Sequence, residues 1–481
     1  METTDLPEAS ALAPDMTEDR ARRLPGAAQV ALAVLGVIAF VALYLFATKE
    51  QSTRQNQDRL KHDQSAMLHF SERLALYGPR YGLMAPRNRM PLYPLFQTLA
   101  FRKGMSDDDF FAAGKQANVW LSVILLVGIF AVFRAHYPLH ATANVLLIAG
   151  FGVFALKAPY IQAEVLFYFW TLLYFLLMVR MLRRPGLLPA LGLGVLLAVA
   201  HMTKASTLPA IALFVFFFAV KVFRQKWFAN QGDGGRGNPL LPALYGALAI
   251  GLFLALIFPY IKVSKERYHS YFYNVNSTFY MWCDSWAEAK GFSDAYDDRH
   301  FNPNYDNHRA DLDSAAEDVP SFAKYRATHS IGKILGRFIH GLGRMFTETF
   351  RSFWYMPYVL VFALGSAYAV WRSWPKVFAA LRADPVTPAF IASFFLSYIA
   401  LYAWWMILAR SQRFVLTLFL PLLFVLTFIC QTYGKDVLVR IKGKQLALST
   451  VMDWVGTSLA LINIPVVLFW AAKAVNGGST M

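Results

Sequence analysis

Two short stretches hold residue types that could transfer a group at a membrane surface. Residues 63–76 read DQSAMLHFSERLAL and residues 87–97 read RNRMPLYPLFQ. Asp63 opens a segment in which Ala66, Leu68, Phe70, Leu74 and Leu76 are interspersed with His69, Glu72 and Arg73. That pattern suits a helix lying in the membrane interface. A carboxylate there can take a proton from a hydroxyl, and the arginines Arg87 and Arg89 can grip a phosphate. Taken singly, Asp63 also reads as an ordinary loop carboxylate, and the two arginines as contacts to lipid headgroups.

These residues are set among elements that hydropathy identifies plainly. The chain has 481 residues, of which 57% are hydrophobic and 16% charged, against roughly 25% charged in a soluble domain. Apolar runs near the length of about 20 residues that crosses a bilayer predict eleven spans, at 27–47, 117–134, 139–156, 160–181, 187–203, 206–222, 240–260, 353–373, 387–408, 412–431 and 453–474. The expected fold class is therefore an all-α polytopic membrane bundle. The net charge of +16 is assigned to topology and membrane lipid rather than to nucleic acid. No small-residue cleavage site follows the first apolar run, so 27–47 reads as an uncleaved anchor. Cys283 and Cys430 fall on opposite sides of the predicted membrane and offer no disulfide framework.

Short basic loops orient the bundle. Arg20, Arg22 and Arg23 precede the first span; Arg180, Arg183 and Arg184 follow the fourth; Lys221, Arg224, Lys226 and Arg236 follow the sixth. Arg372, Lys376 and Arg382 follow the eighth, and Lys435, Arg440, Lys442 and Lys444 the tenth. With eleven spans and a cytoplasmic N-terminus, all five clusters fall inside, as positively charged short loops do. The expected organisation is a cytoplasmic tail at 1–26, a transmembrane catalytic module at 27–260 that includes an outer loop at 48–116, an extracytoplasmic loop at 261–352, and C-terminal transmembrane helices at 353–481. The acidic, polar run 294–318 lies in the second outer loop. GDGGRGNP at 232–239 lacks the Lys and Ser/Thr of a nucleotide P-loop and reads as a connection.

Ionisable residues at span ends are costly, and so they are candidates for function. Glu164, in KAPYIQAEVLFYFWTLLYF, enters the fourth span among apolar residues; a buried structural hydrogen bond is its plain reading. Lys204, in HMTKAST, ends the fifth span, where a lysine commonly snorkels. Arg410 and Arg413, in ARSQRFVLTLFLP, occupy a short outer turn, against the usual charge bias. All of these, with Asp63, Arg87 and Arg89, are expected at one membrane face. Carboxylates that activate a hydroxyl, beside cations that suit a phosphate, fit transfer from a lipid-phosphate donor.

At this point the sequence resembles the GT-C glycosyltransferases, and within them the protein-mannosyltransferase and aminoarabinose-transferase-like group. The resemblance rests on an uncleaved first span, an outer loop opened by an Asp, the PLYP segment before the second span, an acid opening the fourth, and RF-x-L-x-x-x-LP at 413–421. It covers residues 27–260 and the region 410–421. It implies inverting transfer of a sugar from a polyprenyl-phosphate donor to a glycan, lipid or protein acceptor at the extracytoplasmic face. The lack of a disulfide framework and the basic short loops suit a bacterial inner membrane with the site toward the periplasm, an endoplasmic-reticulum membrane being the alternative. Carried onto this chain, Asp63 would be the catalytic base and Glu164 the second acid. Arg87, Arg89, Lys204 and Arg413 would hold the donor phosphate, with His62, Tyr93 and Gln162 as acceptor- or sugar-binding residues. One departure stands out: many relatives carry Asp-Glu where this chain has Asp63-Gln64. Losing a carboxylate weakens a divalent-metal site, which favours several anionic oxygens. The expectation is a reaction without cofactor, a divalent ion being the alternative.

Three other classes compete, one of them a non-catalytic membrane assembly factor for which Asp63 would be dispensable. A transporter or flippase of lipid-linked intermediates would place polar residues at mid-membrane depth, often on broken helices in paired halves. A surface polysaccharide polymerase or ligase would perform related chemistry on another scaffold.

Overall fold

The computed structural model describes residues 27–84, 87, 89–224, 240–268, 270–278, 280–288, 322–350, 355–409 and 411–473. The basic cluster at 20–23, the GDGGRGNP segment, the run 294–318 and Arg410 lie outside the described residues. The principal helices are α1 (Ala27–Glu50), α2 (Gln64–Tyr77), α3 (Asp107–Arg134), α4 (Leu139–Ala149), α5 (Glu164–Arg183), α6 (Leu187–Thr203) and α7 (Leu208–Phe223). They continue with α8 (Leu240–Tyr268), α9 (Ile331–Phe350), α10 (Met356–Arg372), α11 (Val386–Trp405), α12 (Phe419–Tyr433) and α13 (Leu448–Ala472).

Among the described residues nine helices are long and apolar enough to cross a membrane. The 17-residue helices α6 and α10 occupy the other two expected spans. The chain is thus an all-α, multi-pass integral membrane protein, the arrangement in which each span satisfies its own backbone hydrogen bonds. The first span is the most open to lipid, with Leu32, Leu35 and Val37 among its exposed side chains. The spans Leu139–Lys157 and Glu164–Arg183 are the most enclosed.

Three features depart from the sequence expectation. The second span begins ten residues earlier than hydropathy places it, at Asp107, because polar capping starts the helix before its apolar run does. Ser106 Oγ accepts from the Asp109 backbone N–H at 3.2 Å, and Asp107, Asp108 and Asp109 fill the first turn, where carboxylates complement the helix dipole. Residues 438–441 and 444–447 form an antiparallel hairpin, turned by Lys442 and Gly443, both at positive φ; the sequence reading treats this stretch only as a basic cluster. The helix α9 runs amphipathically through the second long loop. It exposes Ile331, Leu335, Ile339 and Phe346 and turns Arg337 and Gly341 inward. Gly341 meets the Ala403 carbonyl of α11.

Among the described residues two large apolar clusters build the interior. One gathers α1, α3, α4, α10, α12 and α13, the other α6, α7, α8 and α11. Two segments are shared: α5 gives Leu166 and Leu172 to the first and Tyr174 and Phe175 to the second, and the segment 414–420 divides the same way. Glu164 and Arg413 therefore sit at the heads of the two segments on which both halves pack.

The helix α6, which delivers Lys204, approaches α8 closely at Gly194. A Cβ there would lie 2.7 Å from the Ala249 carbonyl oxygen and 2.9 Å from Leu252 Cβ. Small residues permit such approach in membrane bundles. Gly194→Ala should force the helices apart at a cost of about 1–3 kcal/mol, seen as a lower melting temperature in detergent. An unchanged melting temperature would mean that this contact does not hold α6 in place.

Candidate functional site

Asp63 belongs to a pair of residues whose backbone is unusual. His62 (φ 60°) and Asp63 (φ 65°) both adopt the left-handed conformation immediately before α2. His and Asp tolerate that region better than most side chains, yet successive positive φ angles still cost free energy and need support. Support comes from both sides. Gln162 Nε2 donates to the His62 carbonyl at 2.6 Å, and the His62 ring meets the Tyr160 ring edge-on at 5.4 Å. Next in the chain, buried Gln64 exchanges two 2.8 Å hydrogen bonds with the Asn56 side-chain amide and accepts from the Ile161 N–H at 3.0 Å. Gln64 needs an N–H donor as well as its carbonyl for this set. A carboxylate would lack the donor that Asn56 Oδ1 requires, which gives the Asp-Gln pair a physical basis.

The Asp63 carboxylate, 42% exposed, turns back toward two arginines. Oδ1 lies 2.9 Å from Arg89 Nη2, and Oδ2 accepts from Arg413 Nη1 and Nη2 at 3.2 Å each. Burial by itself would raise its pKa. Arg89 and then Arg413 more than offset that, and hold the carboxyl below the usual carboxylate range. His62 is lowered, first by burial and then by the nearby positive charges of Lys157 and Arg413.

Glu164 is the buried first residue of α5, where the helix dipole favours an anion. Its Oε1 lies 3.3 Å from Lys204 Nζ and 3.8 Å from Arg413 Nη1. Lys204 occupies an extended residue between α6 and the next 3-10 turn, with its ammonium between the Phe167 and Phe414 rings at 5.6 and 5.5 Å. Arg413 is set by its own turn: Ser411 Oγ accepts from its backbone N–H, and Tyr168 donates to its carbonyl at 2.9 Å. One guanidinium thus touches both carboxylates. Asp63, Arg89, Glu164, Lys204 and Arg413 come together at one end of the bundle, although up to 350 positions separate them in the chain.

The structure does not bring Arg87 into this cluster. Its guanidinium is fully buried against α8, donating to Ser264 Oγ at 2.7 Å and to the carbonyls of Leu83 and Tyr260, and lies 4.0 Å from the Tyr260 ring. Tyr93 is also enclosed. It accepts from Gln97 at 2.9 Å and donates to Asn118 Oδ1 at 3.3 Å, while Asn118 donates to the carbonyls of Ala158 and Tyr160. Tyr93 therefore braces the 158–163 turn from behind. Gln162 and His62 sit on the rim of the cluster, joined by the bond described above.

Sequence reasoning passes over Asn56, Asn118 and Ser264, polar residues whose partners lie far along the chain and leave no local pattern, and it reads Gln64 only as a missing carboxylate. It also passes over Lys157, at the end of the third span. The signal there was available: a lysine seven residues before Glu164, in the KAPYIQAE segment, at the margin of an apolar run.

The donor set does not fit a resident divalent cation. Both carboxylates are already engaged by cations, and Gln64 is committed to its amide network. Among the described residues no three metal-ligating side chains gather.

Arg87→Ala should lower stability by about 3 kcal/mol, because it leaves buried acceptors without a donor. Arg89→Ala, on a partly exposed pair, should stay within about 1 kcal/mol. Thermal unfolding of both variants in detergent compares them; equal losses would contradict this division.

No family model matches the sequence, and no curated protein matches it. Among solved structures there is a likeness to the archaeal oligosaccharyltransferase AglB from Archaeoglobus fulgidus, determined in complex with an inhibitory peptide and a dolichol-phosphate. The TM-score is 0.44 at 10% identity, over 92% of this chain and 56% of that one. The chain thus spans little more than half the length of that neighbour. A likeness at that level fixes neither family nor activity.

Proposed function

We propose that this protein is a GT-C-like glycosyltransferase that moves a sugar from a polyprenyl-phosphate donor to an acceptor hydroxyl at the extracytoplasmic face, with inversion. The observation that carries the reading is the Arg413 bridge. One guanidinium lies against a partly exposed carboxylate on a surface loop and a buried one at a helix N-terminus, with Arg89 and Lys204 beside them. Fixed cations around an accessible carboxylate suit a reaction in which a hydroxyl loses a proton as a phosphate departs.

In the proposed reaction Asp63 accepts the acceptor's hydroxyl proton. The oxygen lone pair forms the bond to the anomeric carbon while the bond from that carbon to the phosphate oxygen breaks, and the electron pair leaves with the phosphate. The donor is a phosphodiester with one negative charge. The leaving phosphomonoester carries nearly two, its second pKa being about 6. Arg89 and Arg413 are the proposed phosphate holders, because guanidinium groups grip phosphate oxygens in pairs. As they turn from Asp63 toward the phosphate, the carboxylate loses its counter-ions and becomes more basic. The resting ion pairs would thus hold the base weak until donor arrives. Glu164 keeps Lys204 and Arg413 in place for this exchange, and Gln162 and His62 are the proposed contacts on the acceptor side.

The test is transfer of radiolabelled sugar from a panel of polyprenyl-phosphate sugars by membranes carrying wild type or Asp63→Asn. Consumption of one donor that is lost by about 10³-fold or more in Asp63→Asn is expected; undiminished activity in the variant would remove Asp63 from the mechanism. The pH profile supplies a second check. The working form of Asp63 is ionised and its folded pKa is depressed, so kcat/KM should persist to pH values below the usual carboxylate range of about 4 before falling. Arg89→Gln removes one of the charges that depress it, so the acid limb should move to higher pH. A limb that moves down or stays put would contradict the assignment.

A further inference from the structure

The third span is interrupted near its end. A π-turn at Gly150–Phe154 precedes the last helical turn, Ala155–Lys157. Such insertions shift everything after them by one position, roughly 100° around the axis, and are common at functional sites. In an uninterrupted α-helix Lys157 would share a face with Ala149 and Gly150, two turns earlier and both enclosed in the core. Beyond the insertion its ammonium instead lies 6.0 Å from the centre of the Tyr160 ring, the ring that the His62 imidazole meets edge-on. The residue is half-buried and close enough to interact electrostatically with Glu164, Arg413 and His62.

The other cations of the cluster are each engaged by a carboxylate: Arg89 and Arg413 by Asp63, Lys204 by Glu164. Among the described residues Lys157 has no carboxylate within ion-pair distance and no hydrogen-bond acceptor, only the ring face. Four cations, Arg89, Arg413, Lys204 and Lys157, then face two carboxylates, a surplus of two positive charges. Half-burying a lysine without a counter-ion is costly, and an anion that arrives from outside would remove that cost. The anion that matches the surplus is a phosphate in its doubly charged state, not the singly charged diester.

We propose that Lys157 is a further phosphate-binding residue of this site, specific for the second negative charge that appears as the sugar–phosphate bond breaks. The proposal rests on the transferase reading above and adds a division of labour to it. Arg89 and Arg413 hold donor and product alike, whereas Lys157 favours the phosphomonoester over the phosphodiester. A contact made more strongly as charge develops lowers the barrier, and a contact equal in both states does not.

The experiment measures binding of three probes to detergent-purified protein: a short-chain polyprenyl phosphate, its methyl phosphodiester, and the corresponding polyprenol. Wild type should bind the monoester most tightly, the diester less tightly, and the polyprenol least. Lys157→Met should weaken the monoester by about tenfold, the size of one hydrogen bond to a charged group, and the diester by no more than about twofold. Lys157→Arg should keep the wild-type preference, and Lys157→Gln replaces Lys157→Met if the latter does not fold. In transfer assays Lys157→Met should lower kcat by about 10²-fold with KM for the donor within about threefold. Equal weakening of monoester and diester, or no weakening, would overturn the role given to Lys157 and leave the transferase reading standing. Wild type that binds neither phosphate better than the polyprenol would overturn the transferase reading, and this inference with it.

Discussion

The arrangement depends on a guanidinium placed between two carboxylates. Asp63 and Glu164 repel one another, and Glu164 is buried. Two acids brought together without a cation would share a proton, and neither could act as a full anion. Arg413, within 3.2 Å of one and 3.8 Å of the other, allows both to stay ionised. The rest of the local structure serves that placement. Tyr168 and Ser411 fix the backbone of Arg413, Lys204 supplies Glu164 with a second partner, and Arg89 does the same for Asp63. Because Glu164 and Arg413 head the two segments shared by both apolar clusters, packing of the whole bundle sets their separation.

What could be read in the sequence follows from the range of the interactions involved. Hydropathy is a local sum, so the spans are legible, and an ionisable residue at the end of an apolar run announces itself. Glu164, Lys204 and Arg413 are of this kind. Arg87 and Arg89 are not told apart by sequence, since they stand two residues apart in one basic cluster. Burial against α8 decides for Arg87, whose partner Ser264 lies 177 positions away. Tyr93 fails to stand out for the same reason: its environment is set by Asn118 and the 158–163 turn. The early start of α3 was written locally, as a Ser cap followed by three acids, but a search for apolar length overlooks it. The hairpin at 438–447 was masked by its lysines, which read as topology before they read as a turn.

The left-handed pair His62–Asp63 explains why so many buried polar residues surround a surface loop. A loop of this kind would ordinarily relax, and its carboxylate would sample many positions. Here the chain before α2 is held by Gln64 to Asn56 and Ile161, and by Gln162 to the His62 carbonyl. Strain in the backbone is balanced by hydrogen bonds to the 160–164 turn, the same turn that opens α5 with Glu164. Asp63 and Glu164 are therefore positioned by one shared network, not by two.

That coupling bears on how a site of this charge can be stable without ligand. Cations in surplus over carboxylates repel one another, and a flexible site would spread apart to relieve the repulsion. The turn that joins Lys157, Tyr160, Gln162 and Glu164 cannot do so without giving up the buried hydrogen bonds that pin it, those donated by Asn118 and Gln51 and the one that Gln64 accepts from Ile161. The polar core behind the turn thus holds positive charge in a fixed place ahead of any anion. A preorganised field acts without the reorganisation that water or a mobile loop would require at the moment of reaction. On this account Asn56, Gln64, Tyr93 and Asn118, none of them reaching the cluster, govern its electrostatics as directly as the charged residues do.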